Sequence, residues 1–113
     1  GPRFQAEALF QMRFYALVLW RLRGQPPRRL QLLFLKDGRT LTHDPNMAEL
    51  ETAETKISRI WDDIEDCATT GEFGPKRSRL CDWCVFQAQC PLFGGTTPPL
   101  PQEAVARLLT ARR

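Results

Sequence analysis

Apolar and polar residues follow two different rhythms along this chain, and breaks rich in glycine and proline separate them. From Ala6 to Arg23 apolar residues recur at helical spacing, and between Phe14 and Trp20 nearly every side of the helix is apolar. Such a helix is expected to be buried on most sides. Gly24, Pro26 and Pro27 end it. Leu30 to Leu35 is a short apolar run that reads as a buried strand; Asp37-Gly38 supplies a hairpin turn, and Thr40 to His43 is the return strand. Beyond Pro45, Asn46 can cap a second helix, in which Leu50, Ala53, Ile57, Ile60, Ile64 and Cys67 recur in steps of three and four. That spacing makes one buried stripe, with Gly71 as its stop. Gly74-Pro75 opens an irregular segment that carries cysteines; Gly94, Gly95, Pro98, Pro99 and Pro101 form a linker, and Gln102 to Arg112 reads as a short terminal helix.

The predicted order is long helix, β-hairpin, long helix, cysteine-rich lobe and tail, an α+β arrangement. A two-stranded hairpin is marginal as a sheet by itself, so it is expected to extend a larger sheet whose other strands lie upstream. The 113 residues, 42% of them hydrophobic, suit one small domain with a modest core. Sixteen basic residues, mostly arginine, against thirteen acidic ones give a net charge of +3, which permits phosphate contacts without demanding them. The longest apolar stretch, Phe14 to Leu22, is interrupted by Arg21 and is too short to span a bilayer, and no secretory signal is visible. A soluble, cytoplasmic protein with no membrane partner is the expectation.

All four cysteines lie between Cys67 and Cys90, which points to metal or cluster ligation rather than to a disulfide framework. Cys81-Asp82-Trp83-Cys84 puts two thiols on one tight turn, and Cys90-Pro91, after five intervening residues, can close round the same centre. Zinc and a cubane iron–sulfur cluster each usually take four ligands. The fourth is Cys67, a cysteine upstream, or a group other than cysteine. Cys67 also continues the apolar stripe after Ile60 and Ile64, where a thiol serves as a small buried hydrophobe.

The run Gly71-Glu72-Phe73-Gly74-Pro75, through Leu80-Cys81-Asp82-Trp83-Cys84-Val85-Phe86, to Cys90-Pro91-Leu92-Phe93-Gly94-Gly95 resembles the C-terminal end of RecB-family exonucleases, of the PD-(D/E)xK nuclease class. Gln11-Met12-Arg13-Phe14-Tyr15 resembles that family's Q-x-x-x-Y motif, carried on the helix after the catalytic strands. Gln11 and Tyr15 share one helix face at this spacing. The resemblance implies the C-terminal portion of a PD-(D/E)xK fold, with residues 1–75 in the nuclease core, 76–95 as a cluster lobe and 96–113 as linker and terminal helix. It implies that Cys81, Cys84 and Cys90 join a cysteine from near the N-terminus of the nuclease domain to hold a structural 4Fe–4S cluster. Gln11 and Tyr15 would be accessory residues of the active site. The implied activity is that of a DNA exonuclease in repair or recombination; the implied partners are DNA and the N-terminal remainder of the nuclease domain, with a helicase left open.

One departure matters. Family members cut DNA with an aspartate and an acidic-x-lysine pair on strands before the Q-x-x-x-Y helix, and the ten residues before Gln11 contain neither. This chain is therefore expected to lack the carboxylates that hold catalytic Mg²⁺. A different class stays in view: a free-standing, zinc-stapled module that binds DNA or a protein and catalyses nothing.

Lys76, Arg77 and Arg79 are candidates for phosphate contacts, although a short basic run is more often a plain exposed patch. Trp83 and Phe86 could stack bases, but are expected rather to shield the cluster from water, and Trp20 and Trp61 to lie in the core. Asp62, Asp63, Glu65 and Asp66 read as the solvated face of the second helix, and His43, the single histidine, as structural or surface.

Overall fold

A computed structural model of the chain describes residues 2–112. Helix α1 is Pro2–Arg23, strands β1 and β2 are Leu30–Leu33 and Thr40–His43, α2 is Met47–Thr70 and α3 is Gln102–Thr110. Three short 3₁₀ turns, Arg79–Trp83, Gln87–Gln89 and Pro91–Phe93, carry the cysteine segment. The arrangement is α+β, in the expected order. The strands are antiparallel, with Leu30 opposite His43 and Leu32 opposite Leu41. β1 stops two residues short of the predicted end because Phe34 already closes the turn: its N–H donates to Arg39 O, and its carbonyl accepts from Gly38 N–H, both at 2.8 Å. The Asp37 carboxylate secures the same turn, accepting from the backbone N–H and the Nε of Arg39 at 3.1 and 2.7 Å. Gly38 sits at φ 73°, a conformation that a side chain would oppose.

The chain forms two compact units, Gly1–Ile60 and Trp61–Arg113, whose boundary falls within α2. In the first, Ala8, Met12, Ala16, Leu17, Leu50 and Ala53 are buried. The Phe4 and Phe34 rings, 5.9 Å apart, tie the start of α1 to the hairpin. Long side chains join α1 to α2: the Arg21 guanidinium forks onto the Glu54 carboxylate, and the Lys56 ammonium lies 4.5 Å from the centre of the Phe10 ring. Arg21 also covers the Trp20 ring at 4.4 Å, so Trp20 is half-buried beneath a cation rather than sealed in the core. α1 is not buried on most sides. Phe14, Val18 and Leu22 form an exposed stripe at four-residue spacing, 77% exposed at Leu22, because the hairpin and α2 cover only the opposite face of a helix that is apolar nearly all round.

Asn46 caps α2 as predicted, and the cap is reciprocal. Glu49 N–H donates to Asn46 Oδ1 at 2.9 Å, and Asn46 N–H donates to Glu49 Oε1 at 2.7 Å. The same carboxylate receives Arg13 Nε from α1 at 2.7 Å and His43 Nε2 from β2 at 2.8 Å. Burial works against the charge of Glu49, but the hydrogen bonds from Arg13, His43 and the Asn46 N–H outweigh it and hold the carboxyl below its ordinary pKa.

The second unit contains the end of α2, the cysteine segment and α3. Ala68 is buried, Trp61 and Cys67 are half-buried, and Gly71 N–H closes α2 onto Cys67 O at 2.8 Å, at the predicted stop. Ile60 and Ile64 remain exposed at 44% and 37%, so the apolar stripe of α2 is only partly covered. Asp62 and Glu65 are not merely solvated, since Arg112, just past the end of α3, pairs with both. Among the described residues no helix is long and apolar enough to cross a membrane.

Glu49→Ala is expected to cost about 1–3 kcal/mol, since it removes a cap and leaves Arg13 and His43 without their shared acceptor. A group whose folded pKa is depressed stabilises the fold above its unfolded pKa and loses that contribution as pH falls through the folded value. The difference in urea midpoint between wild type and Glu49→Ala should thus be full at neutral pH and shrink in acid. A constant difference across that range would assign the effect to packing.

Candidate functional site

Gln11 and Tyr15 are brought together on α1, with Gln11 Nε2 3.4 Å from Tyr15 Oη. Tyr15 is 57% exposed, and this long contact leaves both polar heads free to bond elsewhere. Arg13, between them in sequence, reaches instead to Glu49, so the residue that anchors the helix and the pair that stays open leave it in different directions. An exposed amide and phenol one turn apart can hydrogen-bond a phosphate oxygen, but neither can hold a metal ion tightly or activate water.

Glu54-Thr55-Lys56 matches acidic-x-lysine literally. The structure gives it no catalytic geometry. On a strand, residues i and i+2 point to the same face, whereas in the middle of α2 they diverge. Accordingly Glu54 is taken up by Arg21, which keeps its carboxyl below the ordinary pKa, and Lys56 lies on the Phe10 ring.

The cysteine segment is built from short turns that hold themselves. Ser78 Oγ accepts from Leu80 N–H at 3.2 Å, and Ser78 N–H donates to Cys81 Sγ at 3.3 Å, so a thiol takes the place that a glutamate holds in an ordinary capping box. Phe86 N–H donates to Cys84 Sγ at 3.4 Å. The Gln87 side-chain amide donates to Cys81 O and ties the first turn to the second. Cys90 O accepts from Phe93 N–H and Gly95 N–H, both at 2.9 Å. A Cβ at Gly95 would run into the backbone of Ala88, Gln89 and Cys90, so this close approach requires glycine. In the sequence Gly95 closes both the family-like run and the 76–95 lobe and opens the linker, and nothing in its local pattern announces the approach.

All four cysteines are free thiols; Cys84 is exposed and Cys67, Cys81 and Cys90 are half-buried. Among the described residues, no three His, Cys, Asp or Glu side chains are already gathered into a metal-holding group. In donor chemistry, however, Cys81, Cys84 and Cys90 fit a sulfur-ligated centre. They are soft ligands on tight turns, and two of them receive backbone N–H groups of the kind that tune cluster sulfurs. Cys67 lies in α2, where its carbonyl closes the helix.

Lys76, Arg77 and Arg79 are all exposed. The Arg77 guanidinium lies 4.8 Å from the centre of the Phe93 ring, and Lys76 and Arg79 have no ion-pair partner among the described residues. Trp83 and Phe86, expected to act as a shield, are 75% and 65% exposed. Sequence reading also missed Glu49 as the meeting point of α1, β2 and α2. Its signal was present, since Asn46-x-x-Glu49 has capping-box spacing, but Asn46 was read alone.

A family model described as the PD-(D/E)XK nuclease superfamily matches residues 2–91. The chain belongs to that superfamily. No curated protein and no solved structure matches it.

Access controls thiol modification when no other difference intervenes. Brief iodoacetamide treatment followed by peptide mass spectrometry is expected to label Cys84 before Cys67, Cys81 and Cys90. Equal labelling of all four would mean that the turns around Cys81 and Cys90 open readily.

Proposed function

We propose that this chain is part of a RecB-type DNA exonuclease of repair or recombination, in which Cys81, Cys84 and Cys90 are ligands of a structural 4Fe–4S cluster. The observation that carries the reading is the conjunction, within one chain of this nuclease superfamily, of the exposed Gln11–Tyr15 pair and the Cys81-x-x-Cys84 run that closes at Cys90-Pro91. The N–H donors to Cys81 Sγ and Cys84 Sγ support it.

The first unit supports the same reading. The hairpin has only two strands, and Phe14, Val18 and Leu22 stand exposed, as expected of a surface completed by further strands. The N-terminal remainder of the nuclease domain would supply them, and with them the aspartate and the acidic-x-lysine pair. Magnesium held by those carboxylates would activate water and stabilise the charge that develops on the scissile phosphate. The part of this chain would be positional: Gln11 and Tyr15 would hydrogen-bond the DNA backbone, and Lys76, Arg77 and Arg79 would neutralise phosphates. Phosphodiester hydrolysis needs no electron transfer, so the cluster would serve to fasten distant segments, and its assembly would add to folding stability. The fourth ligand would be a cysteine of that remainder, with Cys67 as the candidate within this chain.

Anaerobic purification followed by iron, sulfide and zinc analysis tests the centre. Iron and sulfide in similar amounts are expected, lost in Cys81→Ser, Cys84→Ser and Cys90→Ser, while Cys67→Ser decides the fourth ligand. Stoichiometric zinc without sulfide would replace this reading with a zinc-stapled binding module. In the complete nuclease, Gln11→Ala and Tyr15→Phe should each slow cleavage roughly ten- to hundred-fold through misplacement of the substrate. Unaltered cleavage in both would remove the pair from the site.

A further inference from the structure

The cysteine segment exposes more apolar surface than its turns require. Leu80, Trp83, Val85 and Phe86 are 74%, 75%, 85% and 65% exposed, four large side chains within seven residues. Three residues per turn line up Leu80 with Trp83 on the Arg79–Trp83 turn. Trp83 and Phe86, three residues apart, are separated by at most about 10 Å of chain. Neither ring stacks on another aromatic ring or accepts a cation among the described residues, whereas Phe93 is taken by Arg77 and Phe34 by Phe4 and Arg39. Charge says what would cover these rings. Between Lys76 and Gly95 the three basic residues are opposed only by Asp82, and Lys76 and Arg79 are unpaired among the described residues.

Exposed aromatic faces beside unpaired cations suit a ligand that offers flat rings and negative charge together. Resting on the nuclease reading, we infer that Trp83 and Phe86 are a stacking platform for unpaired bases of single-stranded DNA, with Lys76, Arg77 and Arg79 on the adjoining phosphates. A duplex keeps its bases stacked on one another and presents only phosphates to the same surface, so the platform discriminates in favour of single strands.

The test uses the full chain, purified anaerobically, and a labelled oligothymidylate of about 16 nucleotides, the upper end of single-strand site sizes. Binding is read by anisotropy, with a duplex of equal length as comparator. Trp83→Ala and Phe86→Ala are each expected to weaken single-strand binding roughly ten-fold, the scale of one stacked base, and to leave duplex binding unchanged. Trp83→Phe should restore most of the loss. Replacing Lys76, Arg77 and Arg79 with Gln should weaken both ligands and flatten the salt dependence. Circular dichroism and iron content, unchanged in the aromatic variants, exclude loss of fold or of the centre. Single-strand binding that ignores both aromatic substitutions overturns the platform while leaving the nuclease reading intact. Zinc without sulfide in the wild type defeats the nuclease reading whatever Trp83 does. Concentration-dependent self-association abolished by Trp83→Ala would also overturn the proposal and make this surface a protein interface.

Discussion

A single carboxylate sets how the first compact unit is assembled. Glu49 receives Arg13 from α1, His43 from the end of β2, and the backbone N–H of Asn46 at the start of its own helix. Three elements thus converge on one acceptor whose side chain is only 15% exposed. The buried apolar side chains of this unit are few, and half of them are alanines, so packing alone fixes the helices loosely. A directional, charge-assisted cluster fixes what packing leaves undetermined. Because Arg13 is drawn to Glu49, Gln11 and Tyr15 are left on the open side of α1. The capping arrangement and the candidate site are therefore set by the same interaction.

The elements were legible in the sequence because each is set by local chemistry. Asp37-Gly38 closed the hairpin, Asn46 started α2 and Gly71 ended it, where they were expected. Burial was less legible, because periodicity says which residues can face a core and says nothing about what stands opposite them. Phe14, Val18 and Leu22 carry the pattern of a buried helix without the covering surface, and Ile60 and Ile64 carry the stripe of α2 without full burial. The candidate site divides the same way. Spacing placed Gln11 with Tyr15, whereas Glu54-x-Lys56 matches acidic-x-lysine only as letters, since the same stretch reads as the second helix and a motif lacks meaning until its secondary structure is known. The close approach at Gly95 was not legible: its constraint comes from backbone seven to five residues earlier, folded back by the Gln87–Gln89 and Pro91–Phe93 turns.

That folding-back bears on how a sulfur-ligated centre would form. A ligand set scattered on a flexible chain pays for its own ordering when it binds, whereas Cys81, Cys84 and Cys90 sit on turns already closed by Ser78, Gln87 and Gly95. The N–H groups of Ser78 and Phe86 point at the sulfurs of Cys81 and Cys84. Much of the local backbone cost is met by the polypeptide itself. What the turns leave undone is convergence of the three sulfurs, and a centre that supplied it would tie this segment to whatever chain brings the fourth ligand.

Charge gives the last link between architecture and use. Five guanidinium groups outside the cysteine segment are cancelled where they stand: Arg13 by Glu49, Arg21 by Glu54, Arg29 by Asp44, Arg39 by Asp37, and Arg112 by Asp62 and Glu65. Pairs of this kind have short-ranged fields, and salt screens what remains beyond about 8–10 Å. The segment from Lys76 to Gly95 is different, with three basic residues against Asp82 alone in a chain whose whole excess is +3. A stretch of unbalanced positive charge therefore directly precedes the exposed rings of Trp83 and Phe86 in the chain. A polyanion approaching this segment would meet a net attraction next to the aromatic surface that can use its bases.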